Sequence, residues 1–513
     1  MKKFNITGTC VPEKHYMVDT SNKLRAIKEM VDEEAYFTIN RGRQYGKTTT
    51  LALLANRLSD YTVVFISFED IGEENASTEK RFCQAFLELL EEASYERLSW
   101  LDNGVESFME LNRHLTKVCQ SQKVVLLIDE VDKLLNNGVF LNFLGMLRKK
   151  FLDRQRNVGA TFHSVILAGV YDVRNMKRNM VNKGLETSSG ALNNSPWNIA
   201  VDFEVEMSFS PEEIETMLRD YEQVSQTGMD IPLIAQEIYD YTSGYPVLVS
   251  SICKIIDENL AQNWSVSGIQ NAVKTILNKK MPLFDSLAGN LENNQDVYQL
   301  LYDALILGIS RGFTFGISTI DLAYGYGFIR NLNGRVQVSN KIFEIYMTNF
   351  FIEKDKGKPS ISSSGFIPQV TRGGCFDMPL CLEKFKLHWQ EIFTYKSTDR
   401  EFYESHYRLI FLTFLKPLLN GVGFYHIESH TTDDARMDVV VTYGAEKFII
   451  ELKKWKGQLY NEKGVAQLLG YMDKANLDKG YLLTFDFRKN SEGHQSDWRK
   501  VGEKRIFEVR VNS

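Results

Sequence analysis

The chain has 513 residues, 43% of them hydrophobic and 25% charged, with a formal net charge of −6. These proportions are ordinary for soluble globular protein and exclude a disordered, collagen-like or disulfide-framework chain. At roughly 100–200 residues per domain, the length predicts about three or four domains.

No apolar run reaches the length of a membrane span, and the opening MKKFNITGTCVPEKHY has no apolar core. Neither a membrane helix nor a signal peptide is expected. The six cysteines are scattered without a C-x-x-C pair, which predicts free thiols in a reducing cytosol rather than a zinc site. Residues 381–513 carry a net charge of +2 against −8 for residues 1–380. That is a small lean towards nucleic acid, equally explained by ordinary solvated surface.

Residues 25–200 alternate strand-like runs with amphipathic stretches. Tyr36–Ile39, Thr62–Ser67, Val124–Ile128 and Ser164–Leu167 read as buried strands, and Thr48–Leu58, Glu79–Ala93 and Phe140–Phe151 as helices. That order predicts βαβ units and a parallel sheet. The Ser-, Asn- and Gly-rich stretch 184–198 reads as a loop. Residues 210–280 read as all-helical, starting at Ser210-Pro-Glu-Glu213, with Ser as N-cap and Pro in the first turn. A hairpin turning at Asn333-Gly334 follows further helices in 286–352. Residues 353–375 read as a linker. After it come a helix, Arg400–Leu419, strands at Gly423–Ile427, Met437–Thr442 and Lys447–Lys453, a helix at Gly464–Leu477 and a strand at Gly480–Phe485.

The first candidate site lies in Asn40-Arg-Gly-Arg-Gln-Tyr-Gly-Lys-Thr48, between a strand and a helix. A tight loop there aims backbone N–H groups and a helix dipole at phosphate oxygens. Gly42, Arg43, Gln44, Tyr45, Gly46, Lys47, Thr48 and Thr49 are the expected nucleotide-binding residues. Lys47 reaches the β- and γ-phosphates and Thr48 is a Mg²⁺ ligand. The full phosphate-loop pattern has glycine at position 41, which is Arg41 here. The strand Val124–Ile128 ends in Asp129-Glu130, which places Asp129 on the Mg²⁺ shell and Glu130 where it polarises water. Asp172 or Arg174, past the next strand, are candidates to sense the γ-phosphate.

These residues, with His15–Asp19 and Val165–Gly169, resemble the AAA-like, STAND-type P-loop ATPases of bacteria. That resemblance implies tolerance of Arg41. It also implies that Gly244-Tyr-Pro246 closes a helical lid, with Pro246 contacting the nucleotide, and that residues 286–352 form a winged helix. The apolar stretch Ser318–Tyr324 fits protein packing better than DNA recognition.

The second candidate site begins at Asp438. Glu451 and Lys453 share one face of the next strand by alternation, and strand pairing lets Asp438 meet Glu451. Two carboxylates that close need a divalent cation between them, and a lysine beside them fits metal-assisted phosphodiester hydrolysis. This resembles the PD-(D/E)XK nuclease superfamily over residues 386–513. The resemblance brings in the Gln467-x-x-x-Tyr471 helix and an acid from the first helix, Glu404 or alternatively Glu401. Glu428 is a further acid that could approach the metal. Lys454, Trp455 and Lys456 suit a phosphate backbone and a stacked base, or Trp455 simply caps the core.

The expected fold class is α/β: a P-loop parallel sheet with helical lid and winged helix, then a restriction-endonuclease-like domain. The expected domains are 1–205 (ATPase), 206–285 (lid), 286–352 (winged helix), 353–385 (linker) and 386–513 (nuclease-like). The reading is a cytoplasmic, STAND-like, ATP- and Mg²⁺-dependent switch controlling a metal-dependent nuclease, with a role in defence against mobile DNA implied by resemblance alone. Its partners are ATP and nucleic acid, DNA before RNA, without a membrane, and a homo-oligomer is compatible with it. Two alternatives are a switch or scaffold whose nuclease-like domain only binds nucleic acid or protein, and a DNA-binding regulator acting through the winged helix.

Overall fold

Strands such as Val124–Asp129, buried at every position, need cover on both faces. The computed structural model supplies that cover. It describes residues 2–94, 98–134, 137–170, 197–309, 311–355, 370–372, 375–395, 400–419, 423–429, 437–444, 446–488 and 496–512, and the chain divides into two units.

The first unit comprises Met1–Tyr239, Ser243–Lys254 and Leu322–Phe328. Its elements begin α1 (Ser21–Asp32), β1 (Tyr36–Asn40), α2 (Lys47–Arg57), β2 (Thr62–Ser67), α3 (Glu79–Ser94) and α4 (Phe108–Val118). They continue with β3 (Val124–Asp129), α5 (Gly138–Gln155) and β4 (Ser164–Gly169). The sheet order is β1-β4-β3-β2, all parallel. A single parallel bridge from Phe37 to Val201 adds one residue at the β1 edge. Alternate strand residues feed two cores. Phe37, Ile39, Val125, Leu127 and Ile166 pack with α1 and α2. Tyr36, Leu126, Ile128, Val165 and Leu167 pack with α3, α4 and α5. Each such side chain, once fully buried, contributes about 1.5–3 kcal/mol, so the four-stranded sheet is fixed from both sides. The strands and helices match the alternation expected from sequence.

Helices Pro211–Ser225, Ile231–Thr242 and Pro246–Asn259 follow. The first opens with a capping box: Ser210 Oγ accepts from the Glu213 backbone and the Glu213 carboxylate accepts from the Ser210 backbone. Gly244 lies at φ +72°, and a Cβ there would sit 1.9 Å from the Phe209 carbonyl oxygen, so only glycine fits.

The second unit comprises Asp240–Thr242, Ile255–Asp321 and Ile329–Ser513. It contains helices Val266–Asn278, Pro282–Asn293 and Gln295–Tyr302, then a π-helical turn Asp303–Leu307. Strands β5 (Ile329–Leu332) and β6 (Arg335–Val338) form the expected hairpin, with Asn333 and Gly334 both at positive φ. Helix Lys341–Asp355 comes next and runs three residues into the stretch expected to be linker. Residues 356–369, most of that stretch, lie outside the described residues, as does most of 184–198.

After the short pair β7 (Thr371–Arg372) and β8 (Cys375–Phe376) come helices Met378–Tyr395 and Arg400–Leu419. Six strands then form one sheet: β9 (Gly423–Ser429), β10 (Met437–Tyr443), β11 (Glu446–Lys454), β12 (Lys479–Asp486), β13 (Asp497–Val501) and β14 (Lys504–Asn512). Their order is β13-β14-β12-β11-β10-β9. β9, β10 and β11 are an antiparallel meander, while β11, β12 and β14 run parallel. Helix Gln458–Lys474 packs Val465, Leu468 and Met472 on one face. Phe385 and Trp389 of Met378–Tyr395 pack on Phe485 of the other. Edge strand β9 is held by helix Lys341–Asp355, where Glu344 accepts from the Ile427 backbone at 2.7 Å.

Several elements differ from the sequence expectation. Helix Met378–Tyr395 and strands β13 and β14 have no counterpart in it, and helix Gln458–Lys474 starts six residues before Gly464. Gly457, at φ +109°, turns the chain directly from β11 into that helix. The Lys- and Trp-rich composition of the junction hides it from a periodicity reading.

Candidate active sites

The phosphate loop enters α2 through Gly46 at φ +78°, where a Cβ would meet nothing within 4 Å. The left-handed backbone is what requires glycine there. No side chain caps α2, so its first N–H groups stay available to an anion. Lys47 is buried and donates to the carbonyls of Arg41 at 2.9 Å and Gly42 at 3.0 Å. Burial lowers its pKa, opposed by the nearby carboxylates Asp132, Asp129 and Glu130. Thr48 Oγ1 donates to Asp129 Oδ2 at 2.5 Å, so the two expected Mg²⁺ ligands already face one another. This pairing of hydroxyl and carboxylate fits a magnesium–phosphate group.

Glu130 follows at φ +53°, a left-handed conformation that costs a non-glycine residue energy and clusters at functional positions. Burial, then Asp129, raises its pKa. Asp132, which no sequence motif singled out, accepts from the Val170 backbone at 2.5 Å. The signal for it was the third acid in Asp129-Glu-Val-Asp132. Asp172 and Arg174 lie outside the described residues.

Arg41 stands where the phosphate-loop pattern has glycine, and its guanidinium bonds the carbonyls of Asn40 and Val205 and lies 5.8 Å from the Phe203 ring. Gly42 carries the steric demand instead: a Cβ would lie 2.6 Å from the Tyr326 carbonyl oxygen and 3.1 Å from Tyr245 Oη. Tyr245, of Gly244-Tyr-Pro246, donates to the Arg43 carbonyl at 2.5 Å, and its ring lies edge-on to Tyr45 at 4.5 Å. Burial pushes the Tyr45 hydroxyl up to about 12. Beside the loop, Tyr16, Met17, Val18, Thr49, Phe209 and Pro246 line a cavity of about 160 Å³ that also reaches Gln44 and Gly46. The expected residues Gly46, Thr49 and Pro246 thus share one cavity, next to Lys47 and Thr48. Arg43 is exposed.

The second site is assembled by strand register. Asp438 pairs with Glu451 on one side and with Glu428 on the other, so three acids occupy one cross-strand row. The side chains of Asp438, Glu428, Glu401 and Glu404 lie outside the described residues. Glu451 is 1% exposed and Lys453 3%. Lys453 Nζ lies 3.7 Å from Glu451 Oε1 and donates to Gln467 Oε1 at 3.3 Å. Among the described residues Glu451 Oε1 has no hydrogen-bond partner. A buried carboxylate oxygen left without a donor fits a cation ligand. Among the described residues no group of three His, Cys, Asp or Glu side chains could hold a metal ion, and Glu451 is the one acid of the row at 428, 438 and 451 whose side chain is described.

Gly464, not singled out in the sequence, makes room for this lysine. A Cβ at 464 would lie 2.6 Å from Lys453 Nζ. Tyr460 places its ring 5.0 Å from the same Nζ, and Asn461 accepts from Thr484, the register partner of Lys453. Gln467, which the nuclease resemblance brought in, meets Lys453, whereas Tyr471 has its ring 6.0 Å from Lys474 Nζ.

Family models match two stretches: an AAA domain over residues 43–176 and the PD-(D/E)XK nuclease superfamily over residues 424–496. Among curated proteins no relative matches by sequence. Among solved structures, a Walker-type ATPase of Pyrococcus abyssi is similar at 13% identity and TM-score 0.46, over 67% of this chain and 99% of that one. The ORC2 protein of Aeropyrum pernix, in ADPNP and ADP complexes, is similar at 13% identity and TM-score 0.37, over 68% of this chain and 96% of that one. No helix among the described residues is long and apolar enough to cross a membrane.

Proposed function

For a chain that carries an AAA-type P-loop ATPase domain followed by a PD-(D/E)XK nuclease superfamily domain, we propose an ATP-hydrolysing switch of STAND type that controls metal-dependent phosphodiester cleavage. The observation that carries this reading is the buried Glu451–Lys453 pair, with Glu451 Oε1 lacking a donor among the described residues and Asp438 opposite it in register.

In the first site, the α2 N–H groups and Lys47 bind phosphate, and Thr48 and Asp129 hold Mg²⁺. Glu130 takes the proton of the attacking water, and Pro246 with Thr49 borders the nucleotide. In the second, Asp438 and Glu451 hold a divalent cation, which when bound supplies charge stabilisation at the scissile phosphate. Lys453, held by Gln467, orients water or neutralises a phosphate oxygen, and Glu404 is the reserve acid. The domain boundaries of this reading are 205, 285, 352 and 385, with the hairpin-bearing part as a winged helix. Defence against mobile DNA in the cytoplasm is the biological setting it suits.

The test is cleavage of plasmid and single-stranded DNA by the full chain with Mg²⁺ or Mn²⁺, with and without ATP. Lys453→Ala abolishes cutting and leaves DNA binding intact. Lys47→Ala abolishes ATP binding and, with it, the nucleotide dependence of cutting. ATP binding without cutting under any condition overturns the nuclease half.

A further inference from the structure

The second site extends past the strand that carries it. Lys453 pairs with Thr484 on β12, and Thr484 pairs with Arg510 on β14. Residues paired across a ladder project on the same face. Arg510 therefore shares the face of Lys453, two strand spacings or about 10 Å away. Neither Arg510 nor β14 belongs to any motif read from the sequence.

The Arg510 guanidinium carbon lies 3.4 Å from the centre of the Trp455 ring, one residue past β11. Arg488, past the end of β12, lies 5.5 Å from the same ring. Lys456 Nζ lies 5.3 Å from Tyr460. Asp486, buried among them, takes a two-pronged bond from Arg488 at 2.9 and 2.6 Å, and Glu508 precedes Arg510 by two residues on β14.

An aromatic face supports a cation without neutralising it, unlike a carboxylate. The guanidinium keeps a planar fork of donors for a phosphate. Arg488 is paired with Asp486, while Arg510 and Lys456 rest on aromatic rings, and gathering these cations costs mutual repulsion. That cost is offset when a polyanion lies across them. Trp455 then serves as the support for Arg510 rather than as a free platform for a base.

We propose that Arg510, Arg488 and Lys456 form a track for the phosphodiester backbone on either side of the bond presented to Lys453. This rests on the nuclease reading of that site. The ligand chemistry is a run of phosphodiesters, which DNA and RNA share.

The test is binding of the full chain, in EDTA, to a labelled DNA duplex, a DNA single strand and an RNA single strand over a range of salt. Arg510→Gln combined with Lys456→Gln is expected to weaken binding by about tenfold or more. It should flatten the slope of log K against log salt by about 2 on duplex, at roughly 0.9 for each phosphate no longer neutralised. Arg510→Lys should restore about half of that slope change, and the thermal midpoint should stay at the parent value. The arm bound most tightly names the source of the backbone. Unchanged affinity and slope in the double variant overturn the track, as does a parent that binds none of the three. A parent that binds with the expected slope but never cuts overturns the nuclease reading and leaves the track standing.

Discussion

Lys47 and Lys453 are both buried lysines with carboxylates for neighbours, and the chain holds them in different ways. Lys47 bonds carbonyls five and six residues back in its own loop. Lys453 bonds Gln467 across a helix and faces Glu451 on its own strand, in a space that exists because residue 464 is glycine. The first site is therefore a local structure set by one loop and one helix end. The second exists only once three strands and a helix have assembled in register. A local site leaves its mark as a contiguous motif, and an assembled site leaves scattered residues whose meaning depends on pairing.

The comparison breaks most visibly at Glu451. Glu451→Gln is expected to lower metal-dependent cleavage by more than about 100-fold, beyond the effect of removing a residue that only bonds a metal ligand. Calorimetry should show weaker Mg²⁺ or Mn²⁺ binding, with ATP binding at the phosphate loop unaltered. Retained cleavage would remove Glu451 from the metal site and make the second region a structural ion pair.

The first region depends on one distant residue, and Gly244→Ala tests it. A Cβ there meets the Phe209 backbone at 1.9 Å, at φ +72°. The strain costs roughly 1–3 kcal/mol, read as a lower thermal midpoint and weaker ATP binding. An unchanged midpoint would mean that the Gly244-Tyr-Pro246 turn is not fixed against Phe209.

The smallest effect is electrostatic. Burial raises the pKa of Glu130, so folding favours its protonated form. The stability that this provides is present at low pH and lost as pH rises through the raised value. Glu130→Gln stays neutral throughout, so it should melt higher than the parent near pH 7. The two melting curves should converge as pH falls below the ordinary glutamate range. Hydrolysis is expected to be lost in the variant with ATP binding kept, and the acid limb of the parent profile should lie above the usual glutamate pKa. A midpoint difference that grows as pH falls would contradict the sign.

Much of this architecture was legible in the residues. Two of the four parallel strands of the first unit, β3 and β4, are fully buried runs made mostly of Val, Ile and Leu, and the capping box at Ser210 announces its helix. Pairing of the two strands was expected to let Asp438 meet Glu451, and the register sets them opposite one another. Strands β13 and β14 escaped because Asp497–Asn512 mixes charge with apolar residues, and β13 is an edge strand with no buried position. Glu404 and Glu401 stay undistinguished, since helix Arg400–Leu419 departs from helical geometry at His406 and their side chains lie outside the described residues.

The amino-acid order alone determined which residues could carry chemistry: Gly46-Lys47-Thr48 before a helix, Asp129-Glu130 at a strand end, and Glu451-x-Lys453 on one strand face. These depend on interactions within a few residues, which periodicity and local geometry govern. Tertiary structure decided the environment of each. It gave Glu130 its left-handed backbone, seated Tyr245 over the phosphate loop, left the buried Glu451 Oε1 without a hydrogen-bond partner among the described residues, and set Arg510 in line with Lys453. Burial and cross-strand register arise from contacts between residues far apart in the chain, and no local pattern encodes them.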